Sequence, residues 1–375
     1  MKPIIDKDSV ILKSLTLRNF RSYAAENFSF HERINLIYGD NAQGKTNLLE
    51  AIHMLLTQRP FKQVRHDELI SFGAAESRIK GEVETGAGLD EVHVLLSGEK
   101  KTIKLNGKIV YKVSRIAGRY NVVSFLPSDI ELVKGSPQGR RRHLDALICT
   151  LDPAHLRDLK LYHRSLLQRN ALLAKSASLT PGMLEVWDSR LADSGSLIIS
   201  RRHQYIEKLR PHLSRIYKAT SGEEASPDIV YRGVSESENH IAEDFKRELA
   251  SRFEKDRKRG HTTYGPHRDD VGFTIRGNDA SLFASQGEAK NLALALKASE
   301  IELVRSVLGK TPILLLDDVT SELDERRKGF LFGLLDTFPG QIFITATSLG
   351  EIRLKGEMKT FHIRGGRAEQ TLIKA

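Results

Sequence analysis

Among the 375 residues there is one cysteine, Cys149, so no disulfide can form within the chain, and a reducing cytoplasm suits it. Cys149 sits in an apolar helical run, residues 144–151, and reads as a small buried hydrophobe rather than a nucleophile. Long apolar runs are missing too. The longest, residues 313–316 and 342–344, are strand-length and far short of the ~20 residues a spanning helix needs, so no membrane partner is expected. Residues 1–8 carry charges of both signs with no apolar run behind them, which argues against a signal peptide and for a cytoplasmic location. Internal repeats, low-complexity stretches, a helix-turn-helix, a zinc knuckle and an aromatic RNP motif are absent. Base-specific readout of nucleic acid is therefore not expected. His261 and His267 share a loop without a nearby cysteine, which points to a polar loop role and not to a metal site.

What is present is an ordinary globular composition, 40% apolar and 28% charged, on a chain long enough for two or three lobes. The formal net charge is +10. That balance favours polyanionic partners, although ribosomal, membrane-surface and merely basic enzymes share it.

Residues 10–17 alternate as a half-buried strand, and Ile34-Asn35-Leu36-Ile37-Tyr38 is a short apolar strand ending in glycine. Residues 45–56 then read as a helix. Alternating runs at 79–83, 92–95 and 102–108 predict strands, with Asn106-Gly107 as a hairpin turn. From 129 to 217 the period is helical and interrupted at Pro153, Pro181 and Pro211. A helix over 183–209 is expected to end or kink at Pro211. Two antiparallel helices of ~30 residues reach only ~45 Å, so any arm is short. A strand at 228–231 and an amphipathic helix over 241–257 follow. Strands and helices alternate again from Tyr264, which suggests an α/β core.

The strongest motif is Gly39-Asp40-Asn41-Ala42-Gln43-Gly44-Lys45-Thr46, a GxxxxGK[ST] string between a predicted strand and a predicted helix. Its glycines let backbone N–H groups wrap phosphates, and the helix N-terminus adds positive potential. Lys45 is expected to reach the β- and γ-phosphates of ATP and Thr46 to bind Mg²⁺, with Asn47 completing the loop. Ile313-Leu314-Leu315-Leu316-Asp317-Asp318 is the partner motif, a buried strand with two acids at the end where α/β sheets bind ligands. Asp317 is expected to hold the Mg²⁺ shell and Asp318 to polarise the attacking water. Ser285-Gln286-Gly287-Glu288, opening a helix over 289–308, lies where ABC-type ATPases carry the turn that contacts nucleotide on the opposite subunit. An ordinary helix N-cap explains the same string. Ser321-Glu322-Leu323-Asp324 then fits a D-loop.

In this order the motifs resemble the RecF family, the short-armed relatives of SMC ATPases, over essentially the whole chain. The stretch Leu15-Thr16-Leu17-Arg18-Asn19-Phe20-Arg21-Ser22-Tyr23 resembles the family's opening. Val133-Lys134-Gly135-Ser136-Pro137 with Arg140-Arg141-Arg142-His143-Leu144-Asp145 is close to a stretch particular to it, as is Tyr264-Gly265-Pro266-His267-Arg268-Asp269-Asp270. The resemblance implies an α/β fold, an ABC-type P-loop ATPase head (lobe I) with an inserted, mainly helical short-arm lobe II. Its parts fall at 1–128 for lobe I with the P-loop, 129–260 for lobe II, and 261–375 for the rest of lobe I with signature, Walker B and D-loop. No switch histidine follows the strand over 341–345; Thr345 or Thr347 takes that place as γ-phosphate sensor, and hydrolysis is expected to be slow. Glu288 stands where the family pattern has glutamine. The Q-loop is expected near Asp129.

The implied function is an ATP-dependent recombination mediator in repair and replication, a weak DNA-stimulated ATPase. An ATP-dependent homodimer would clamp gapped duplex or junction DNA without sequence preference, helping load RecA recombinase with RecO and RecR. Clusters at Arg140, Arg141 and Arg142, at Arg201 and Arg202, and at Arg257, Lys258 and Arg259 are the candidate DNA contacts, with a solvated helix face as the plainer reading of each. Another short-armed SMC-like DNA-organising ATPase is the alternative. Longer SMC machines need hundreds of heptad residues. A transporter subunit needs a membrane-coupling surface and usually LSGGQ with a switch histidine. An ATP-gated nuclease needs an appended metal domain.

Overall fold

The computed structural model describes residues 9–61, 64–111, 116, 118–175, 179–222, 226–233 and 241–374. The leader reading of residues 1–8 lies outside them, as does the side chain of Glu322 in the expected D-loop. Two compact units divide the chain, residues 1–129 with 294–375, and residues 130–293.

The first unit opens with β1 (Ile11–Phe20), β2 (Tyr23–Ser29), β3 (Ile34–Tyr38) and α1 (Lys45–Thr57). It continues through β4 (Glu76–Thr85), β5 (Gly88–Ser97), β6 (Lys100–Leu105), β7 (Lys108–Ile109) and β8 (Val122–Phe125). The second unit holds α2 (Glu131–Lys134), α3 (Pro137–Leu151), α4 (Pro153–Lys175), α5 (Glu185–Ser221), β9 (Pro227–Arg232), α6 (Ile241–Ser251) and α7 (Phe253–Arg259). Next come β10 (Asp270–Ile275), β11 (Asn278–Asp279), α8 (Ala280–Phe283) and α9 (Gln286–Leu308), whose last part belongs to the first unit. That unit closes with β12 (Ile313–Leu316), α10 (Glu325–Thr337), β13 (Ile342–Ala346), β14 (Glu357–Arg364) and β15 (Arg367–Lys374).

Two sheets build the first unit. One is antiparallel, in the order β2-β1-β4-β5-β6-β7. Its strands alternate buried and open positions, as a sheet with one covered face does. Asn106 and Gly107 both take positive φ, 49° and 77°, with Leu105 opposite Lys108. That is the twist-matched two-residue hairpin the Asn-Gly pair predicts. The other sheet runs β15-β14-β3-β13-β12-β8, parallel except for the edge strand β15. Every residue of β12 and β13 is buried, which explains why they read as continuous apolar runs instead of alternating ones.

Helix α1 is amphipathic: Leu48, Leu49, Ile52, Leu55 and Leu56 cover one broad side, while Thr46, Glu50, His53 and Thr57 line the other at helical spacing. Leu48, Leu49, Ile52, Leu55 and Leu56 share one cluster with Leu12, Ile79 and Val94 of the antiparallel sheet and with Ile37 and Phe343 of the parallel one. Packing against both sheets thus fixes where α1 begins, and the loop before it with it.

In the second unit α4 packs along α5, with Leu191, Ala192 and Ile198 of α5 around Tyr162 of α4. Their 23 and 37 residues correspond to ~35 and ~55 Å. Of the end or kink expected at Pro211, the end does not occur: α5 runs through it to Ser221. An interior proline costs about 3 kcal/mol. Leu209, Leu213, Ile216 and Tyr217 are all buried across it, and each such side chain contributes roughly 1.5–3 kcal/mol, so burial wins. The helix expected over 241–257 is two, α6 and α7, broken at Arg252 with φ −94° and ψ 5°. Strand β10 pairs with β9 and β11, which keeps residues 261–293 with the second unit, whereas the sequence reading returns to lobe I at 261.

Arg169, fully buried on α4, ties the helices together. Its guanidinium donates to Asp188 (2.6 Å), Asp256 (2.7 Å) and Thr262 (2.9 Å), and Asp256 also accepts from Thr263. Removing one partner of a buried pair strands the other charge, at about 3–5 kcal/mol. Asp256→Ala is expected to lower the melting temperature steeply, whereas the exposed Arg257→Ala shifts it little. Thermal denaturation followed by circular dichroism checks this, and equal melting of the two variants refutes the role given to the cluster.

Candidate nucleotide site

The loop between β3 and α1 is set by glycines that nothing else replaces. Gly39 and Gly44 have φ of 142° and 116°, and a Cβ would lie 2.5 Å from the Ile363 carbonyl oxygen at Gly39 and 2.7 Å from Ser22 Oγ at Gly44. Tyr23 donates its hydroxyl to the Gly44 carbonyl (2.9 Å), and Asn47 Nδ2 donates to Ser22 Oγ (2.9 Å). From the other side the β14–β15 turn braces Gln43: Gly365 N–H donates to its Oε1 (2.8 Å) and Gly366 N–H to its carbonyl (3.1 Å). Ser22, Tyr23 and the Gly365-Gly366 turn were not expected at the loop. Ser22 and Tyr23 close the stretch that resembles the family's opening, but nothing in it points at the loop, and the Gly365-Gly366 turn lies far off in sequence, so only the folded register reveals them. Asp40, Asn41 and Ala42 stay exposed.

Lys45 is buried, and its Nζ donates to the carbonyls of Gly39 (2.5 Å) and Asp40 (2.9 Å), which holds the ammonium over the loop's centre. Strand β13 lies between β3 and β12, so the loop, Thr345 and the acids after β12 meet at neighbouring C-terminal strand ends. Thr46 Oγ1 lies 3.0 and 2.9 Å from the two carboxylate oxygens of Asp317. Thr345 Oγ1 donates to Asp317 Oδ1 (2.9 Å) and accepts the N–H of Asp318 (2.8 Å). Burial raises the Asp317 pKa above the usual carboxylate value, with the Thr46 and Thr345 hydroxyls working against it. Asp318 takes a left-handed φ of 45°, which a short polar side chain tolerates. Its Oδ1 is buried without a hydrogen-bond partner. Hard oxygen donors of Thr46 and Asp317 and this unpartnered oxygen fit a hydrated Mg²⁺ beside phosphates.

Thr345 is wholly buried, and its hydroxyl is taken up by the two acids, so here it supports them instead of facing the loop with a free hydroxyl. Thr347 is exposed and bonded to Glu351. Asp129 Oδ2 accepts the N–H of Leu126 (2.8 Å), a turn-forming bond just after β8.

Ser285, exposed at the start of α9, forms a capping box. Its Oγ accepts the Glu288 N–H (3.1 Å) and Glu288 Oε2 accepts the Ser285 N–H (2.9 Å). Glutamine makes the same reciprocal bond, so Glu288 keeps the turn's geometry while adding a charge that Arg276 meets at 3.1 Å. The Ser285 N–H, above all, lowers the Glu288 pKa. In the D-loop segment Ser321 bonds to the Asp318 carbonyl, and Asp324 caps α10.

Half of the expected DNA contacts are corrected. Arg140 is buried against Asp270 (2.9 and 2.8 Å) and Arg141 bonds to the Asp269 carbonyl. Arg201 pairs with Asp152 and Asp158, and Arg202 with Asp145 (2.9 and 2.8 Å). Arg140 and Arg202 are thereby buried, and Arg141 and Arg201 stay half-buried with these bonds made. Arg142, Arg257, Lys258 and Arg259 are exposed, as is Lys255, with Arg257 leaning on Glu254 (2.7 Å).

These sheets and this loop have counterparts among known proteins. Residues 11–363 match the family model described as RecF/RecN/SMC N terminal domain. The fold is that of an SMC-type, ABC-ATPase-like head: the Smc head domain of Pyrococcus furiosus covers 97% of the chain and 96% of itself at TM-score 0.57, with 15% identity. Closer likeness narrows the class. The DNA replication and repair protein RecF of Syntrophotalea carbinolica is 38% identical over 96% of this chain and 99% of its own. That of Halalkalibacterium halodurans is 39% identical over 91% and 94%. A solved structure of the recombination mediator protein RecF-ATP in the RecFOR pathway superposes at TM-score 0.90, with 36% identity over 97% of this chain and 98% of that one. The chain belongs to the RecF family.

Because the folded state raises the Asp317 pKa, that carboxyl stabilises the fold only while protonated, and the contribution is lost as pH rises through the folded value. At neutral pH the buried charge is a burden on the nucleotide-free protein. Asp317→Asn is expected to melt higher than wild type at pH 7.5, with the gap narrowing towards pH 4.5. Differential scanning fluorimetry across that range checks the sign; a variant that melts lower at every pH refutes it.

Proposed function

We propose that this chain is an ATP-dependent recombination mediator that grips DNA as a nucleotide-bound homodimer and works in the cytoplasm. The observation that carries the reading is the set of groups at the ends of β3, β13 and β12: Lys45 and Thr46 on one side, and Asp317 and Asp318 on the other, with Asp318 Oδ1 free of any partner. The RecF structure described with ATP supports the choice of nucleotide.

ATP would lie along residues 39–46, where loop N–H groups and the start of α1 receive phosphate oxygens. Thr46 and Asp317 would hold Mg²⁺, which neutralises phosphate charge when bound. Lys45 exchanges its carbonyl partners for β- and γ-phosphate oxygens. Asp318 accepts a hydrogen bond from the attacking water. Ser285 and the Gly287 N–H of a second copy close over the γ-phosphate. Hydrolysis is slow, because Thr345 spends its hydroxyl on the two acids and no imidazole stands beside the water, and DNA stimulates it. Nucleotide binding forms the clamp; hydrolysis opens it.

The DNA-facing cations under this reading are Lys255, Arg257, Lys258 and Arg259 on and beside α7, with Arg142. Without base-reading elements they suit backbone contact with gapped duplex or junctions. RecO and RecR are the partners the family implies, and RecA loading the outcome.

In analytical ultracentrifugation, wild type is expected to pass from monomer to dimer only with ATP and Mg²⁺, and to retain DNA better as it does so. Lys45→Met is expected to stay monomeric. Equal mass and DNA retention with and without ATP in both proteins defeats the clamp. The triple variant Lys255→Glu, Lys258→Glu, Arg259→Glu should bind DNA at least about tenfold more weakly. Its log K against log salt should be shallower, by about 0.9 for each lost phosphate contact. An unchanged salt slope in fluorescence anisotropy removes α7 from the interface.

A further inference from the structure

Just ahead of the exposed Ser285 lies α8, a short turn fastened on one side and bare on the other. Asp279 Oδ1 accepts from the N–H of Ser281 (2.8 Å) and from its hydroxyl (2.5 Å). Lys134 Nζ donates to the carbonyls of Ser281 (3.3 Å) and Ala284 (2.5 Å), closing the other end of the turn. Ala280 is buried beneath it. Yet Leu282 and Phe283 are 74% and 71% exposed. A single exposed leucine is unremarkable, but two adjacent large apolar side chains on a segment fixed by four polar bonds form a presented surface rather than a slack loop.

We infer that Leu282 and Phe283 are an apolar docking knob for a second copy of this chain, seated beside the nucleotide that the same copy's Ser285 closes over. The inference rests on the reading of Ser285 given above. If Ser285 meets another copy's nucleotide, residues two and three positions before it are within about 7–10 Å of that copy along the chain. Side chains that α8 projects on that side therefore lie within reach of the same partner. A phosphate backbone is the wrong occupant, since it is held by cations and hydrogen-bond donors, which this knob lacks. Lys134 acts as a positioning residue: its bonds to Ser281 and Ala284 hold α8 and the approach to Ser285 as one piece. Such a device couples the two tasks of the turn. Apolar burial supplies affinity between copies, while Ser285 reports that nucleotide is present.

Two measurements test this. Leu282→Ser/Phe283→Ser, changed only at exposed positions, should bind a fluorescent ATP analogue like wild type but dimerise at least about tenfold more weakly in sedimentation with ATP and Mg²⁺. Second, Phe283→Cys places a thiol on the knob of a protein whose natural Cys149 is buried. Its maleimide labelling should slow about tenfold with ATP and Mg²⁺, only at protein concentrations where the dimer forms, and not when Lys45→Met is added. The labelling result decides the matter if the serine variant proves unstable. Dimerisation of the serine variant equal to wild type overturns the inference and leaves the clamp standing. Protection independent of protein concentration shows that the chain's own residues cover the knob, and overturns it too. If wild type itself never dimerises with ATP, the clamp falls, and the knob with it.

Discussion

A single hydroxyl, that of Thr345, donates to Asp317 and accepts from the backbone N–H of Asp318, so the two acids at the end of β12 are set by the strand beside them. This works only because β13 is inserted between β12 and β3 in a parallel sheet. In that order all three C-terminal ends open on the same edge, and the loop before α1, the threonine and the acids become neighbours without any long connection reaching across. Were β12 next to β3, Asp317 would lose the donor behind it, and the left-handed turn at Asp318 would have no partner for its N–H.

The arrangement works against stability in two places and is held by packing elsewhere. Asp317 is buried with its charge only partly compensated by two hydroxyls, and the loop needs glycines whose flexibility disfavours the ordered state. Opposing this, the apolar side of α1 is packed against both sheets, and Glu50 on its polar side is paired with Arg21. The loop is also clamped from both flanks, by Tyr23 at Gly44 and by Gly365 and Gly366 at Gln43. Preorganised loops of this kind spend little ordering entropy when phosphate arrives.

The elements legible in the sequence were those in which local pattern and tertiary role agree. Strand β3, the glycine loop, α1 and the apolar strand β12 carry one signal each, and neighbours reinforce it. At Pro211 a stop, one of the two outcomes the local rule allows, is outweighed by four buried side chains across it. The return to the first unit was placed at 261 because alternating strand signals resume there, and no local signal tells that β10 pairs with β9 of the second unit. Sequence order brings Thr345 and Thr347 into the neighbourhood of the phosphate site but gives no depth: Thr345 is fully buried and supports the acids, and Thr347 lies exposed.

The basic clusters show a different limit. Arginine density measures how many guanidinium groups are present, not whether a carboxylate has claimed them. Arg140, Arg201 and Arg202 are matched by Asp270, Asp152, Asp158 and Asp145, and most of those partners lie tens of residues away. Burial pushes the Asp145 pKa up, yet Arg202 and His155 more than offset it and hold it at about 2, so Asp145 faces Arg202 as a carboxylate. The stretch around Arg140–Asp145 and that around Pro266–Asp270, each RecF-like on its own, are therefore one construction: Arg140 meets Asp270, Arg141 the Asp269 carbonyl, and Arg202 joins Asp145 to the Pro266 carbonyl. Ion pairs so buried add little net stability over an apolar core but punish any misalignment, because each stranded charge is costly. What they align is the start of β10, from which the chain runs through β11 and α8 to Ser285. Charge therefore fixes the path to Ser285 where hydrophobic packing would tolerate slippage.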